Sequence, residues 1–144
     1  MDPYSEIAHD QGFDALVGLE IRAADDGGMR GYVAVRDALK QAAGLVHGGV
    51  YATIAESLAS LATAVAVLAD GKVAMGLSNQ TSFLRPITEG SINAEAVALH
   101  RGRSTWVWDV RFSDDAGRLC AITRMTIAVR EPRAEVSPGR ESGG

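Results

Sequence analysis

The sequence predicts an α+β domain in which an antiparallel sheet wraps around one long central helix. Three observations carry that expectation. Two runs with strand alternation precede a long apolar stretch of helical length, and four longer alternating runs follow it. The later runs are separated only by "TEGS", "RGRS" and "DDAGR", turns short enough to make antiparallel neighbours rather than parallel crossovers. The apolar stretch is greasy on nearly every side and must be covered from several directions, while an antiparallel sheet must bury one face. Each element meets the other's need.

The polar opening reads as a helical turn or two over Tyr4 to Gln11. In "LVGLEIRAA", Val17, Leu19, Ile21 and Ala23 share one parity, which is strand spacing. Asp25 to Gly28 tolerate positive φ, and Met29, Gly31, Val33 and Val35 then alternate against Arg30, Tyr32 and Arg36, completing a first hairpin. Asp37 to Val46 reads as a connection. Gly44 to Val67 gives roughly six turns of helix, about 30 Å long, stopped by Asp70 and Gly71. Strands follow over Val73 to Leu84, Ser91 to Arg101, Ser104 to Ser113 and Arg118 to Arg130. Trp106, Trp108, Val110 and Phe112 share one parity, as do Leu119, Ala121, Thr123, Met125, Ile127 and Val129, so one sheet face is heavy. From Glu131 the chain is Pro, Gly, Ser and charge without period. The expected organisation is one domain over residues 1–130 and a flexible tail over 131–144, a size that buries a real core.

The totals exclude several classes. A net charge of −4 and a pI near 5.3 provide no broad basic field for nucleic acid. Cys120 is the single cysteine, so no internal disulfide forms, and no basic-then-apolar leader is visible, which makes the cytoplasm the expected location. The run from Val50 to Leu68 has the length of a membrane span, but Thr53, Glu56, Ser57, Ser60 and Thr63 interrupt it and flanking cations are missing until Lys72. A buried helix fits better. His9, His47 and His100 are widely spaced and no HExxH or paired CxxC occurs, so no metal site is expected. GxSxG, P-loop and GxGxxG signatures are absent as well.

The chemistry centres on Glu56. An ionised carboxylate within an apolar run normally pairs, hydrogen-bonds or takes up a proton. At about 100° per residue, Gly49, Glu56, Ser57, Ser60 and Thr63 fall in a strip about 120° wide. That strip is either a close helix contact with a structural carboxylate or a reaction site. Gly48 and Gly49 favour the second, because the first amides of a helix lack internal partners and glycine lets a ligand oxygen approach. On one helix Gly48 and Glu56 stand about 12 Å apart, too far to grip one atom together. Two subunits of a symmetric dimer can bring them together, and a dimer or larger assembly is also what would cover the helix's remaining side and any unpaired sheet edge. His47 serves either as a cap or as a reacting group.

The segments "GLVHGGVYATIAESLAS", "SNQTSFLRPITEG" and "STWVWDVRFSDDAGRLCAITRMTIAVR", in that order, resemble the hotdog-fold acyl-CoA thioesterases, in particular the phenylacetate-pathway branch and the Arthrobacter-type 4-hydroxybenzoyl-CoA thioesterases. The resemblance spans about Gln41 to Arg130 and implies a sheet wrapped around one long helix. It also implies an enzyme that hydrolyses an acyl-CoA, with an aromatic acyl group first in line, needs no cofactor, and works as a dimer with shared sites that pairs into a tetramer. By resemblance Glu56 attacks the thioester carbonyl or activates the water that does, the Gly48 amide polarises the thioester oxygen, Gln41 and His47 line the carbonyl, and Ser60 places water where the aryl-CoA enzymes have threonine. For CoA the resemblance points to Arg85, to the turn Arg103, Ser104 and Thr105, and to Arg133; Asp14 is the candidate partner for a ring hydroxyl. Arg85 and Arg103 also read as solvated strand ends, and Asp14 as an exposed N-terminal aspartate. A hydratase of the same fold, or a non-catalytic acyl-CoA binder, are the competing classes.

Overall fold

The computed structural model describes residues 11–134. A short helix α1 (Gly12–Val17) precedes the hairpin β1 (Glu20–Ala23) and β2 (Met29–Ala34), a 3-10 turn spans Asp37–Leu39, and the long helix α2 (Gly48–Leu68) follows. Four strands complete the chain: β3 (Val73–Phe83), β4 (Ser91–Arg101), β5 (Thr105–Ser113) and β6 (Leu119–Arg130). The strands form one antiparallel sheet in the order β1-β2-β4-β5-β6-β3, so β3 is an edge although it follows the helix directly.

Cover for the helix comes from the concave face of that sheet. Val33 and Ile92, Trp108, Val110 and Phe112, and Met125 and Ile127 are all buried, and they enclose Ile54, Ala55, Leu58 and Ala59 of α2. The alternation read for β5 holds along its length, and that for β6 holds except at Leu119, which is exposed. Although α2 is long and apolar enough to cross a membrane, it is the core helix of this sheet.

Three sequence expectations are corrected. Leu16 and Val17 belong to α1 rather than to the first strand, because Gly18 at φ 80° turns the chain out of the helix and β1 starts only at Glu20. The early turns expected over residues 4–10 lie outside the described residues, as does the tail from residue 135. The long helix begins at Gly48, not Gly44: Gly44 sits at φ 87° in a turn, and Val46 bridges Lys40 before His47 caps the first turn. Thr63 leaves the polar strip altogether. It is fully buried, donates to the Ala59 carbonyl at 2.8 Å and accepts from Trp108 Nε1 at 2.9 Å.

That last bond ties α2 to the centre of the sheet, and a buried indole N–H left without an acceptor costs its full desolvation. Thr63→Val, nearly the same shape, should lower unfolding free energy in urea by about 1–3 kcal/mol. Thr63→Ser keeps the acceptor and should lose only about 1 kcal/mol for its methyl. Equal stability of the two variants would show that the bond contributes nothing.

Candidate active site

The start of α2 is built by its own residues. His47 is extended at φ −63°, ψ 133°, and its Nδ1 accepts from the Gly49 N–H at 2.9 Å, which puts the ring proton on Nε2. Its own N–H donates to the Leu39 carbonyl at 2.9 Å, and its carbonyl accepts from the Val50 N–H at 3.0 Å. Capping is therefore the role the geometry gives His47. Among the described residues the Gly48 N–H has no acceptor, so it remains available at the positive end of the helix.

Gly48 opens onto a cleft of about 480 Å³ shared with Gln41, Tyr51, Phe83, Arg85 and Cys120. A Cβ at position 48 would lie 2.7 Å from Phe83 Cζ, so glycine is what allows the ring and the helix start to touch. Tyr51 packs edge-on against Phe83 and Phe112, with ring centroids 6.0 and 5.3 Å away. Gln41 is oriented by accepting the Ala43 N–H on Oε1 at 2.7 Å. Burial pushes the Tyr51 phenol up to about 12, the nearby Cys120 adding to the rise and a backbone hydrogen bond with Ile87 offsetting part of it. Burial also raises the Cys120 thiol. Both stay protonated at neutral pH, so neither supplies an anionic nucleophile to this cleft.

Glu56 lies on the side of α2 that the sheet leaves open, and its side chain is exposed. Its neighbour is β3. The strand carries a bulge between Gly76 and Ser78, where Leu77 is the extra residue and the pairing shifts from Ile127 to Thr126. Thr81 and Asn79 point toward the helix side with their buried partners Thr123 and Met125, and uninterrupted alternation would put Leu77 there next. The bulge presents Gly76 instead, and a Cβ there would stand 3.7 Å from Glu56 Oε1. That distance is ordinary van der Waals contact, so a methyl at 76 would fit, while the inserted residue keeps the longer Leu77 side chain from taking the place opposite the carboxylate.

Some of the expected residues meet and others do not. Gly48, Gln41 and Arg85 share the cleft, whereas His47 borders a separate apolar cleft of about 510 Å³ with Phe13, Leu39 and Thr53. Asp14 is half-buried and accepts the Ser57 hydroxyl on Oδ1 at 2.6 Å, which places it beside the Glu56 turn. Ser60 is half-buried one turn further along. Arg103, Ser104 and Thr105 lie at the opposite end of the sheet from Arg85: Phe83 aligns through Ala121 with Phe112, seven residues or about 23 Å along β5 from Thr105. Arg133 is exposed beyond β6. Tyr51, Phe83, Gly76 and Asn79 were not expected at the site. Phe83 stands inside the "FLRP" segment and could have been suspected, but nothing in a single sequence marks a bulge.

This architecture and helix start have known counterparts. Residues 43–121 match the Thioesterase superfamily. A thioesterase from Pseudomonas aeruginosa, PA1618, solved as a variant, has the same fold with a TM-score of 0.83 at 33% identity, covering 90% of this chain and 94% of that one. The Mycobacterium tuberculosis protein Rv1847/MT1895 superposes with a TM-score of 0.80 at 36% identity over 85% of this chain and 98% of that one. A 1,4-dihydroxy-2-naphthoyl-CoA hydrolase from Listeria monocytogenes is 33% identical over 122 residues, 85% of this chain and 98% of its own. With more than half of its length matched and the helix wrapped by the same sheet, this chain belongs to the Thioesterase superfamily, hotdog-fold hydrolases of thioesters.

Proposed function

We propose that the protein hydrolyses an aryl-CoA thioester at two equivalent sites, each shared between the protomers of a dimer joined along β3. The observation that carries this is the way α2 lies along the edge strand: Gly48 touches Phe83 at one end of β3, and Glu56 faces Gly76 toward the other. A two-fold axis through the middle of β3, near Asn79, would pair Phe83 of one protomer with the neighbourhood of the partner's Gly76. Each free Gly48 amide would then meet the partner's Glu56. The same axis would carry the partner's Thr105, aligned through Ala128 with Met75, toward Arg85, so that one CoA could contact Arg85 and the partner's Arg103, Ser104 and Thr105. Exposed Met75, Leu77, Phe83 and Leu84 along that edge supply apolar surface for such a joint.

In this arrangement the thioester carbonyl docks on the Gly48 N–H, with Gln41 beside it. The partner's Glu56 either adds to the carbonyl carbon, giving an acyl anhydride that water later opens, or takes a proton from the water that adds. In both routes the carbonyl π electrons move onto oxygen, where the amide holds the charge, and the collapse of the adduct breaks the C–S bond. The thiolate leaves as CoA and takes a proton, and the acid is released. No cofactor is required. In this reading Ser60, one turn from Glu56, helps hold the water, and Asp14, beside Ser57, bonds a hydroxyl on the acyl ring. The aromatic walls of the cleft, Tyr51 and Phe83, and the Listeria relative's naphthoyl substrate both support an aryl group, with 4-hydroxybenzoyl-CoA and the phenylacetate branch the specific expectations.

Glu56→Gln should lower thiol release by about 10²- to 10⁴-fold while leaving affinity for the CoA ester nearly intact. Near-normal turnover would remove Glu56 from the mechanism. For the acyl group, initial rates of thiol release should rank 4-hydroxybenzoyl-CoA and 1,4-dihydroxy-2-naphthoyl-CoA above phenylacetyl-CoA, and all three above octanoyl- and palmitoyl-CoA. A preference for the long alkyl esters would overturn the aryl assignment.

A further inference from the structure

Between Gly48 and Glu56, one polar chain crosses from the sheet to the helix. Thr123, buried on β6, and Thr81 on β3 share a hydrogen bond at 2.8 Å. Thr81 Oγ1 donates to Asn79 Oδ1 at 2.9 Å, and Asn79 Nδ2 donates to the Ala52 carbonyl of α2 at 2.9 Å. Ala52 is one turn before Glu56, and its carbonyl is the helical acceptor for the Glu56 N–H. We infer that Asn79 is a positioning residue for Glu56, anchoring the turn that carries the carboxylate to the edge strand so that Gly76, and not a side chain, stands opposite it. The inference rests on the reading of Glu56 as the reacting carboxylate.

The physical argument is about register. Within the protomer β3 pairs on one side only, with β6, and its bulge at Leu77 is a place where a strand can trade one alignment for the next. Moving the bulge by one residue would turn the Leu77 side chain into the space that Gly76 leaves for Glu56. Asn79 lies two residues from the bulge and is the group there that bonds both the strand's own Thr81 and the helix. Its amide works in both directions at once: the oxygen is fixed by Thr81, which orients the nitrogen toward Ala52. A hydrophobic residue at 79 would pack on the helix but would not set its height along the strand, because apolar contact is non-directional.

Steady-state kinetics of the full chain with 4-hydroxybenzoyl-CoA, or with the best ester from the series above, tests this. Asn79→Ala should lower kcat by about 10- to 100-fold, the scale of a reacting group misplaced by about 1 Å, with KM within about twofold. Thr81→Val, which leaves the amide but frees its oxygen, should lower kcat in the same direction by less. On a Glu56→Gln background, Asn79→Ala should cause no further loss, since the residue acts through Glu56. Far-UV circular dichroism and melting temperature identify a variant that fails to fold, and Thr81→Val then carries the test alone. An unchanged kcat in both variants, a loss confined to KM, or full additivity with Glu56→Gln would overturn the inference. Near-normal turnover of Glu56→Gln itself would instead defeat the reading on which it rests.

Discussion

A helix enclosed in a curved sheet must be stopped from sliding along its own axis, and hydrophobic packing does little to stop it, because burying apolar surface is almost indifferent to register. In this protein the axial position of α2 is set by a few directional bonds. At the start, His47 is held by the Leu39 carbonyl and caps the first turn. In the middle, Asn79 grips the Ala52 carbonyl. Toward the end, Trp108 donates to Thr63 in the core. These bonds fix the helix near Gly48, one turn before Glu56 and toward its far end.

The edge strand β3 explains why the polar groups of α2 lie where they do. The sheet covers the helix on the faces that carry Ile54, Ala55, Leu58 and Ala59, all without measurable exposure, and leaves open the side bearing Gly49, Glu56, Ser57 and Ser60. A carboxylate inside a greasy run is thus not a buried charge in the single protomer. It stands at the boundary between core and solvent, beside a strand that exposes Met75, Leu77, Phe83 and Leu84. An open apolar edge of this kind is a standing liability unless something covers it. A second copy seated there would enclose both the edge and the carboxylate, and would bring the substrate's carbonyl into a dry setting where a single amide has greatest effect.

Much of this was legible in the sequence, and the limits have physical causes. Strands β4 to β6 could be read almost to the residue because each buries one face and their turns carry Gly, Asp and Ser. Helix-period counting found the strip around Glu56, but it could not separate Thr63 from Ser60. A threonine that bonds its own helix and a tryptophan across the core has the same letter as one that faces water. The start of α2 was misplaced by four residues because glycine and apolar residues before His47 continue the composition of the helix, while a positive φ at Gly44 and a bridge at Val46 break its geometry. The glycine pair at the helix start pointed to Gly48 and the resemblance added Gln41 and Arg85, and the fold does gather the three in one cleft. It could not supply Phe83 or Tyr51 as walls, nor the bulge that opens β3 opposite Glu56, because those depend on contacts between segments far apart in the chain.

The inventory of groups around the helix start narrows the chemistry further. Cys120 and Tyr51 are the other titratable side chains that could compete as nucleophile or base in the cleft, and burial keeps both protonated at neutral pH. His47 has committed Nδ1 to the Gly49 amide, so only Nε2 faces outward, and it carries a proton to donate rather than a lone pair to accept one. Arg85 is a cation. Within one protomer, therefore, the cleft has an electrophile-binding amide but no base. The nearest free carboxylate on the same helix is Glu56, about 12 Å along the axis, which is beyond the reach of any atom held at Gly48. If Gly48 holds the oxyanion and Glu56 is the acid, as proposed, that spacing on one rigid helix calls for a second copy to complete the site, and the edge strand that runs between the two groups is the surface open to it.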